Sequence, residues 1–387
     1  MSAVRPFRCA VPDAAIADLH ARLDHTRWPD QPDGLGWSHG VDRNMLQELV
    51  RYWRHQFDWR GAEAGLNRFD QFMLEIDGLD IHFIHQRSSH ARATPLLLCH
   101  GWPGSIVEFL DVIPRLTQPE RFGGGPEDAF HVVCPSLPGY AFSPAPTARG
   151  FNIRDIAQRH AALMAALGYT AYIAQGGDWG AGITRQQAMV DPAHCRAIHL
   201  NLVNLGAPGD IEDPLSLVTP EEHERLDRMA RHQREGTGYY AIQSTKPQTL
   251  AYALQDSPVG LCAWLTEKFH DWSDGDGDLR RVIGWDRLLT NIALYWFSGC
   301  IASSVRLYRD NALAMATGVV RHAPIAIPVG VAVYPREIYH APRAWVERAL
   351  PLVHWFVAER GGHFAALEQP QIFAQDLWRF KQVVDGL

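Results

Sequence analysis

Gly176-Gly177-Asp178-Trp179-Gly180-Ala181 is the stretch of this chain best suited to covalent chemistry. An apolar run, Ala171-Tyr172-Ile173-Ala174, precedes it, and a helix-forming stretch through Arg185 to Val190 follows. A strand–turn–helix elbow of this kind usually carries a serine at its centre; here the central residue is Asp178. Such a turn strains the backbone and projects its central side chain over the sheet edge. Small residues two before and two after leave room for strand and helix to approach each other. Amides at the helix start favour an anion, so a carboxylate there is ionised and poised to attack. The plain alternative is an aspartate that only caps the helix. No serine is expected in such a turn, which argues against a serine esterase.

Two more loops follow apolar strands. Pro95 to Cys99 leads into His100-Gly101-Trp102-Pro103-Gly104-Ser105. Its glycines and proline let a backbone N–H point into a site, and Trp102–Pro103 is a candidate cis peptide. The Trp102 and Trp179 N–H groups would form a two-donor oxyanion hole. His100 is read as orienting its loop by hydrogen bonding. Near the C-terminus, Val353 to Val357 leads into Glu359-Arg360-Gly361-Gly362-His363-Phe364-Ala365-Ala366. There are 19 histidines, so place decides, and His363 is placed to reach over the sheet as general base. In this chain order the acid comes before the histidine. Glu337 follows Ile325 to Val333 and would hold the imidazole tautomer and stabilise the imidazolium. The alternatives are a surface Glu337 paired with Arg336 or Arg343, and Glu368 as the acid.

The elements that must position these groups read as an α/β fold. The first seventy residues look helical. Asp13 is a candidate cap for a helix bearing Ile16, Leu19 and Leu23, and Met45, Leu46, Leu49, Val50 and Trp53 mark a second helix. A Pro/Gly/Asp loop from Trp28 to Trp37 separates them. Phe72 to Ile76 and Leu79 to Ile84 flank Asp77-Gly78, a hairpin signal. Strands at Pro95–Cys99, Phe130–Cys134, Ala171–Ala174 and Arg196–Leu202 alternate with helices, including Ile153 to Leu167, as a parallel sheet requires. A mostly helical, charged stretch from Pro208 to Asn311 interrupts that rhythm, and strands resume at Ile325–Val333 and Val353–Val357. The expected segments are 1–70 (helical extension), 71–208 (core), 209–311 (helical lid) and 312–387 (core). In such sheets the site lies at the carboxyl ends of the strands.

Composition narrows the function. The formal net charge is −7 and no Lys/Arg-rich run occurs, so neither nucleic acid nor an anionic membrane is an expected partner. Met1 to Phe7 lacks a signal peptide's apolar stretch, and no run of 18 uncharged apolar residues occurs, so no membrane anchor is expected. Six scattered cysteines without a CxxC pair suggest free thiols in a reducing cytoplasm. No HExxH or Cys/His cluster appears, so neither metal nor cofactor is expected.

These residues resemble the epoxide hydrolases of the microsomal and juvenile-hormone type. The likeness covers nearly the whole chain. It includes the region from Arg5-Pro6-Phe7 onward, the His100–Ser105 loop, the Asp178 elbow and Arg360 to Ala366. It also includes Gly238-Tyr239-Tyr240-Ala241-Ile242-Gln243, Thr245-Lys246-Pro247, Asp256 to Leu261 and Arg306-Leu307-Tyr308-Arg309-Asp310-Asn311. The resemblance implies an α/β-hydrolase fold, a mostly parallel sheet flanked by helices, with a helical lid and an N-terminal extension that wraps core and lid. It implies Asp178 as nucleophile, Glu337 and His363 as charge pair, and Tyr239 and Tyr308 as lid tyrosines, with Tyr240 adjacent to the first. The membrane-bound members carry an N-terminal anchor that is not seen here.

The chemistry implied is addition of water to a hydrophobic epoxide through an aspartyl ester. An alkoxide leaves poorly, and two phenols near pKa 10 can donate to it as the ring opens. The partners are then a small epoxide and water; self-association into a homo-oligomer is left open. A haloalkane or haloacid dehalogenase would share the aspartate but needs N–H donors for halide in place of phenols. A silent binding module would lack one of the three central groups, and all three candidates are present.

Overall fold

The computed structural model describes residues 3–321 and 324–387; Met1 and Ser2 of the N-terminal stretch lie outside the described residues. Nine strands form one sheet: β1 (Arg5–Phe7), β2 (Gln71–Ile76), β3 (Leu79–Gln86), β4 (Thr94–Cys99), β5 (Phe130–Pro135), β6 (Tyr172–Gly176), β7 (Cys195–Leu200), β8 (Val329–Val333) and β9 (Leu352–Val357). Their order is β1-β2-β3-β5-β4-β6-β7-β8-β9. β1, β2, β3 and β5 pair antiparallel, and every pairing from β5 to β9 is parallel. Asp77 and Gly78 both have positive φ, +50° and +76°, as a two-residue hairpin turn requires. Leu96 and Leu98 of β4 face one core cluster and Leu97 the other. A parallel sheet covered on both faces reads as such continuous apolar runs. The helices Ile153–Ala166, Trp179–Val190 and Pro370–Asp385 supply much of that cover.

Between β7 and β8 the chain leaves the sheet and builds the lid. Its helices include Pro220–Glu235, Gly238–Thr245, Pro247–Asp256, Pro258–Trp272, Trp285–Ser298 and Ile301–Ala316. Proline opens three of them, where its missing N–H costs nothing. The lid is fastened to the loops that leave the sheet. Asn291 Nδ2 donates to Pro103 O at 2.8 Å, Ser105 Oγ donates to Asn291 Oδ1 at 2.7 Å, and Tyr295 OH donates to Gly104 O at 2.8 Å.

Three expectations need correction. Arg5–Phe7 is an edge strand rather than part of a wholly helical start. Three residues carry no periodic signal, and pairing with Gln71–Met73 decides their state; Pro6 is tolerated because the strand lies on an edge. Asp13 is the first helical residue, with Pro12 at the cap position. The strand expected from Ile325 begins at Val329, since β7 offers partners only from there. The two helices read near the N-terminus span Asp13–Asp24 and Arg43–His55. A third, Trp59–Leu66, follows them. All six cysteines are buried free thiols. Among the described residues no single helix is long and apolar enough to cross a membrane.

Candidate active site

The loops after β4, β6, β8 and β9 converge on Asp178. β6 ends at Gly176 and the helix starts at Trp179, so the elbow turns within two residues. Asp178 pays for this with φ +50° and ψ −130°, a strained conformation for a residue with a Cβ. A Cβ on Gly180 would lie 2.0 Å from Cys99 O, and one on Gly176 2.2 Å from Gly180 O. The small residues are therefore compulsory at both positions. Asp178 stands at the cap position but makes no cap hydrogen bond with its side chain. Its Oδ1 instead accepts from the Trp102 N–H at 2.8 Å. Its Oδ2 lies 3.2 Å from His363 Nε2. The carboxylate remains partly open to solvent, with 18% of the side chain exposed.

His363 and Glu337 are both buried, and His363 Nδ1 meets Glu337 Oε1 at 2.7 Å. The Ile338 N–H donates to the same oxygen at 2.6 Å. Burial by itself would lower the imidazole pKa. The Glu337 and Asp178 carboxylates outweigh it and push His363 well above its ordinary 6.5. Glu368 does not reach the imidazole ring's Nδ1 but holds the His363 loop. It accepts from the N–H groups of Asp274, Gly362 and Phe364 at 2.8, 3.0 and 3.0 Å. His100 donates or accepts only within its own surroundings, at Gly101 O (3.0 Å) and the Leu137 N–H (3.1 Å). Burial pushes its pKa down to about 4, so the ring is neutral. The Trp102–Pro103 bond is cis. Trp179 opens its helix, so its N–H is one of the amides with no intrahelical acceptor.

An aromatic box roofs the carboxylate. Trp102 stacks on Tyr239 at 5.5 Å and meets Tyr308 edge-on at 5.7 Å; Trp179 meets Tyr308 edge-on at 4.8 Å. The Tyr239 and Tyr308 rings are 6.0 Å apart. Tyr239 is 6% exposed and Tyr240 41%, so Tyr239 is the inward tyrosine of the pair. Burial first, and the nearby Asp178 charge with it, hold both phenols well above pKa 10, so both carry their protons at neutral pH.

Two features escaped the sequence. A cavity of about 10 Å³, roughly the room of one water, lies against Asp178 and His363 and is also lined by Glu108, Gly101 and Asn201. Burial pushes Glu108 up to about 8; His363 and the Gly101 N–H act against this and Asp178 with it. Glu108 lies eight residues past His100 on a short 3-10 turn, Ile106–Phe109, and nothing periodic marks it. The sequence also holds one Gly-x-Ser-x-Gly string, Gly36-Trp37-Ser38-His39-Gly40, contrary to the expectation of none. Ser38 is exposed in a turn of the N-terminal region and donates to Leu35 O. The element before it is the helix Asp13–Asp24 rather than a strand, so this serine is not an elbow.

Comparison with known proteins places the chain. Residues 4–109 match the family model for the epoxide hydrolase N terminus, and residues 94–265 match the alpha/beta hydrolase fold. A putative epoxide hydrolase of Stigmatella aurantiaca is 48% identical over 97% of this chain and 84% of its own length. Epoxide hydrolase 1 of Oryctolagus cuniculus is 37% identical over 99% and 89%. The crystal structure of juvenile hormone epoxide hydrolase from the silkworm Bombyx mori superposes with a TM-score of 0.91 at 31% identity, covering 100% of this chain and 96% of that one.

Proposed function

The chain belongs to the epoxide hydrolase family, and from that premise we propose that it hydrolyses hydrophobic epoxides through an ester on Asp178. The observation that carries the proposal is the division of labour between the two carboxylate oxygens. Oδ1 is held by the Trp102 N–H, while Oδ2 faces His363 Nε2 with no backbone donor among the described residues, and the charge of the carboxylate is felt at two buried phenols. Oδ2 attacks a ring carbon as the carbon–oxygen bond of the ring breaks. Tyr239 and Tyr308 hydrogen-bond the ring oxygen, and one of them gives it a proton. Ester formation cancels the Asp178 charge that helps sustain the His363 imidazolium. Its pKa falls, the proton restores the phenol, and His363 becomes a base.

Water held beside His363 then loses a proton to Nε2 and attacks the Asp178 carbonyl carbon. The negative charge collects on Oδ1, against the Trp102 and Trp179 N–H groups. Collapse expels the diol with the original Oδ2, and the imidazolium protonates it. Asp178 keeps the water oxygen and returns a proton to His363. No step calls on a dehalogenase reading, because the roof offers phenol donors over the carboxylate. The aromatic walls favour an apolar substituent. We further place the enzyme in a reducing cytoplasm, on the strength of its six buried free thiols.

Single turnover with styrene oxide in heavy-oxygen water tests this. Diol should form, with label in the peptide bearing Asp178. Diol without that label would mean direct attack of water and overturn the ester.

A further inference from the structure

One basic side chain of the lid has no part in the ester mechanism and yet is buried beside it. Lys268, on the helix Pro258–Trp272, is 3% exposed. Its ammonium lies 4.7 Å from the centre of the Tyr239 ring and 5.9 Å from those of Trp264 and Trp272. Its ion-pair partner is the adjacent Glu267. A lysine stem is long and flexible, and its head prefers water unless something holds it in. Here it is held against three aromatic faces, and the nearest belongs to a lid tyrosine over the nucleophile.

We propose that Lys268 is a positioning residue that acts through Tyr239, fixing the ring and strengthening its O–H as a donor to the epoxide oxygen. The inference rests on the reading of Tyr239 as a phenol that serves ring opening. Tyr239 stands in an environment that weakens it as an acid, buried and close to the Asp178 charge. A cation over the ring face acts the other way. It is attracted to the ring's negative face, and more strongly as negative charge builds on the phenol during donation. The tryptophan faces hold the ammonium in place, and Trp264 is itself fixed by Nε1 donation to Gln243 Oε1 at 2.9 Å. Other titratable groups face this corner. Asp178, His363 and Glu337 come from the core loops and Tyr308 from the opposite lid helix. Tyr240, Tyr339, His232, Glu267 and Asp271 face it as well. Of these, His363 alone brings positive charge, and it is already matched by two carboxylates.

The test uses the full chain with styrene oxide, resolving ring opening from ester hydrolysis in single turnovers. Lys268→Met should slow ring opening by roughly ten- to thirty-fold and leave ester hydrolysis within about twofold. It should also move the alkaline limb of ring opening to higher pH, and Lys268→Arg should restore most of the rate. In a Tyr239→Phe background the Lys268→Met effect should vanish, because the residue acts through that ring. Equal loss in both steps, failure of Arg to rescue, or an undiminished effect in the Tyr239→Phe background would each overturn the proposal. If Lys268→Met does not fold, Lys268→Gln is measured in the same cycle, with the same outcomes deciding. Tyr239→Phe alone separates the two readings. If it leaves ring opening at the native rate, the role of Tyr239 has failed first.

Discussion

At Glu108 the site keeps a carboxylic acid near pKa 8 a short way from its base. The group is therefore largely protonated at neutral pH and ionises as the pH rises. New negative charge beside Asp178 would oppose the oxyanion of the second step, so turnover should fall several-fold through about pH 8. Glu108→Gln should remove that limb while changing the rate at pH 7 little, as a pH–rate series will tell. His363→Gln should do something different. Ring opening continues and the ester accumulates, visible as alkylated Asp178 in the intact mass, because only the second step needs the base. Asp178 and His363 were legible because each lies among glycines in a turn that follows an apolar strand, and Glu337 because the acid of this chain order follows the strand before the histidine. Glu108 and Lys268 were not, since what singles them out is a cavity and a set of ring faces assembled from distant segments. The Trp102 N–H was legible as a donor to the site, and in the resting structure its acceptor is the nucleophile itself.

Among the elements, the elbow and the lid fastening bear most on activity. A methyl group at Gly180 has no place to go, with Cys99 O 2.0 Å and His100 O 2.9 Å from its Cβ. Gly180→Ala should cost on the order of 3 kcal/mol or fail to fold, since backbone must move; soluble yield and urea midpoint report it. Asn291 joins a lid helix to the loop that carries the Trp102 N–H. Asn291→Ala leaves Ser105 Oγ and Pro103 O without their partner, a loss of about 1–3 kcal/mol. The melting temperature should drop by several degrees and kcat/KM should fall with it, whereas a lid swinging freely on its connections would lose stability alone. The parallel strands and main helices were readable from apolar runs and turn residues. β1 was not, because its three residues become a strand only when β2 is there to pair with. Asp13 shows the matching limit for a helix end, where Pro12 occupies the cap position and the acidic residue sits just inside.

Across the whole molecule, buried histidines govern the response to acid. Burial lowers His82 and His160 to about 3 and His85, His100 and His340 to about 4. Each has a depressed folded value, so unfolding takes up a proton once the pH drops below about 6.5. Each then removes up to about 1.4 kcal/mol of stability per pH unit. His363 and Glu108 have raised folded values and work in the opposite sense, their contributions declining as the pH climbs. Stability should therefore peak near neutrality and fall more steeply on the acid side; urea midpoints at pH 5, 7 and 9 would measure this. The ties of the N-terminal region carry a last consequence. Arg22 bonds to Asp256 and Tyr52 to Asp286, in each case across 234 residues of chain. Synthesis delivers the N-terminal helices first, yet the lid residues that cover them emerge two hundred residues later. Leu46, Leu49, Val50 and Trp53, buried in the finished enzyme, must wait on the ribosome without that cover. The earliest segment made is among the last to be locked, and growing chains of this protein should lean on chaperones more than its finished form does.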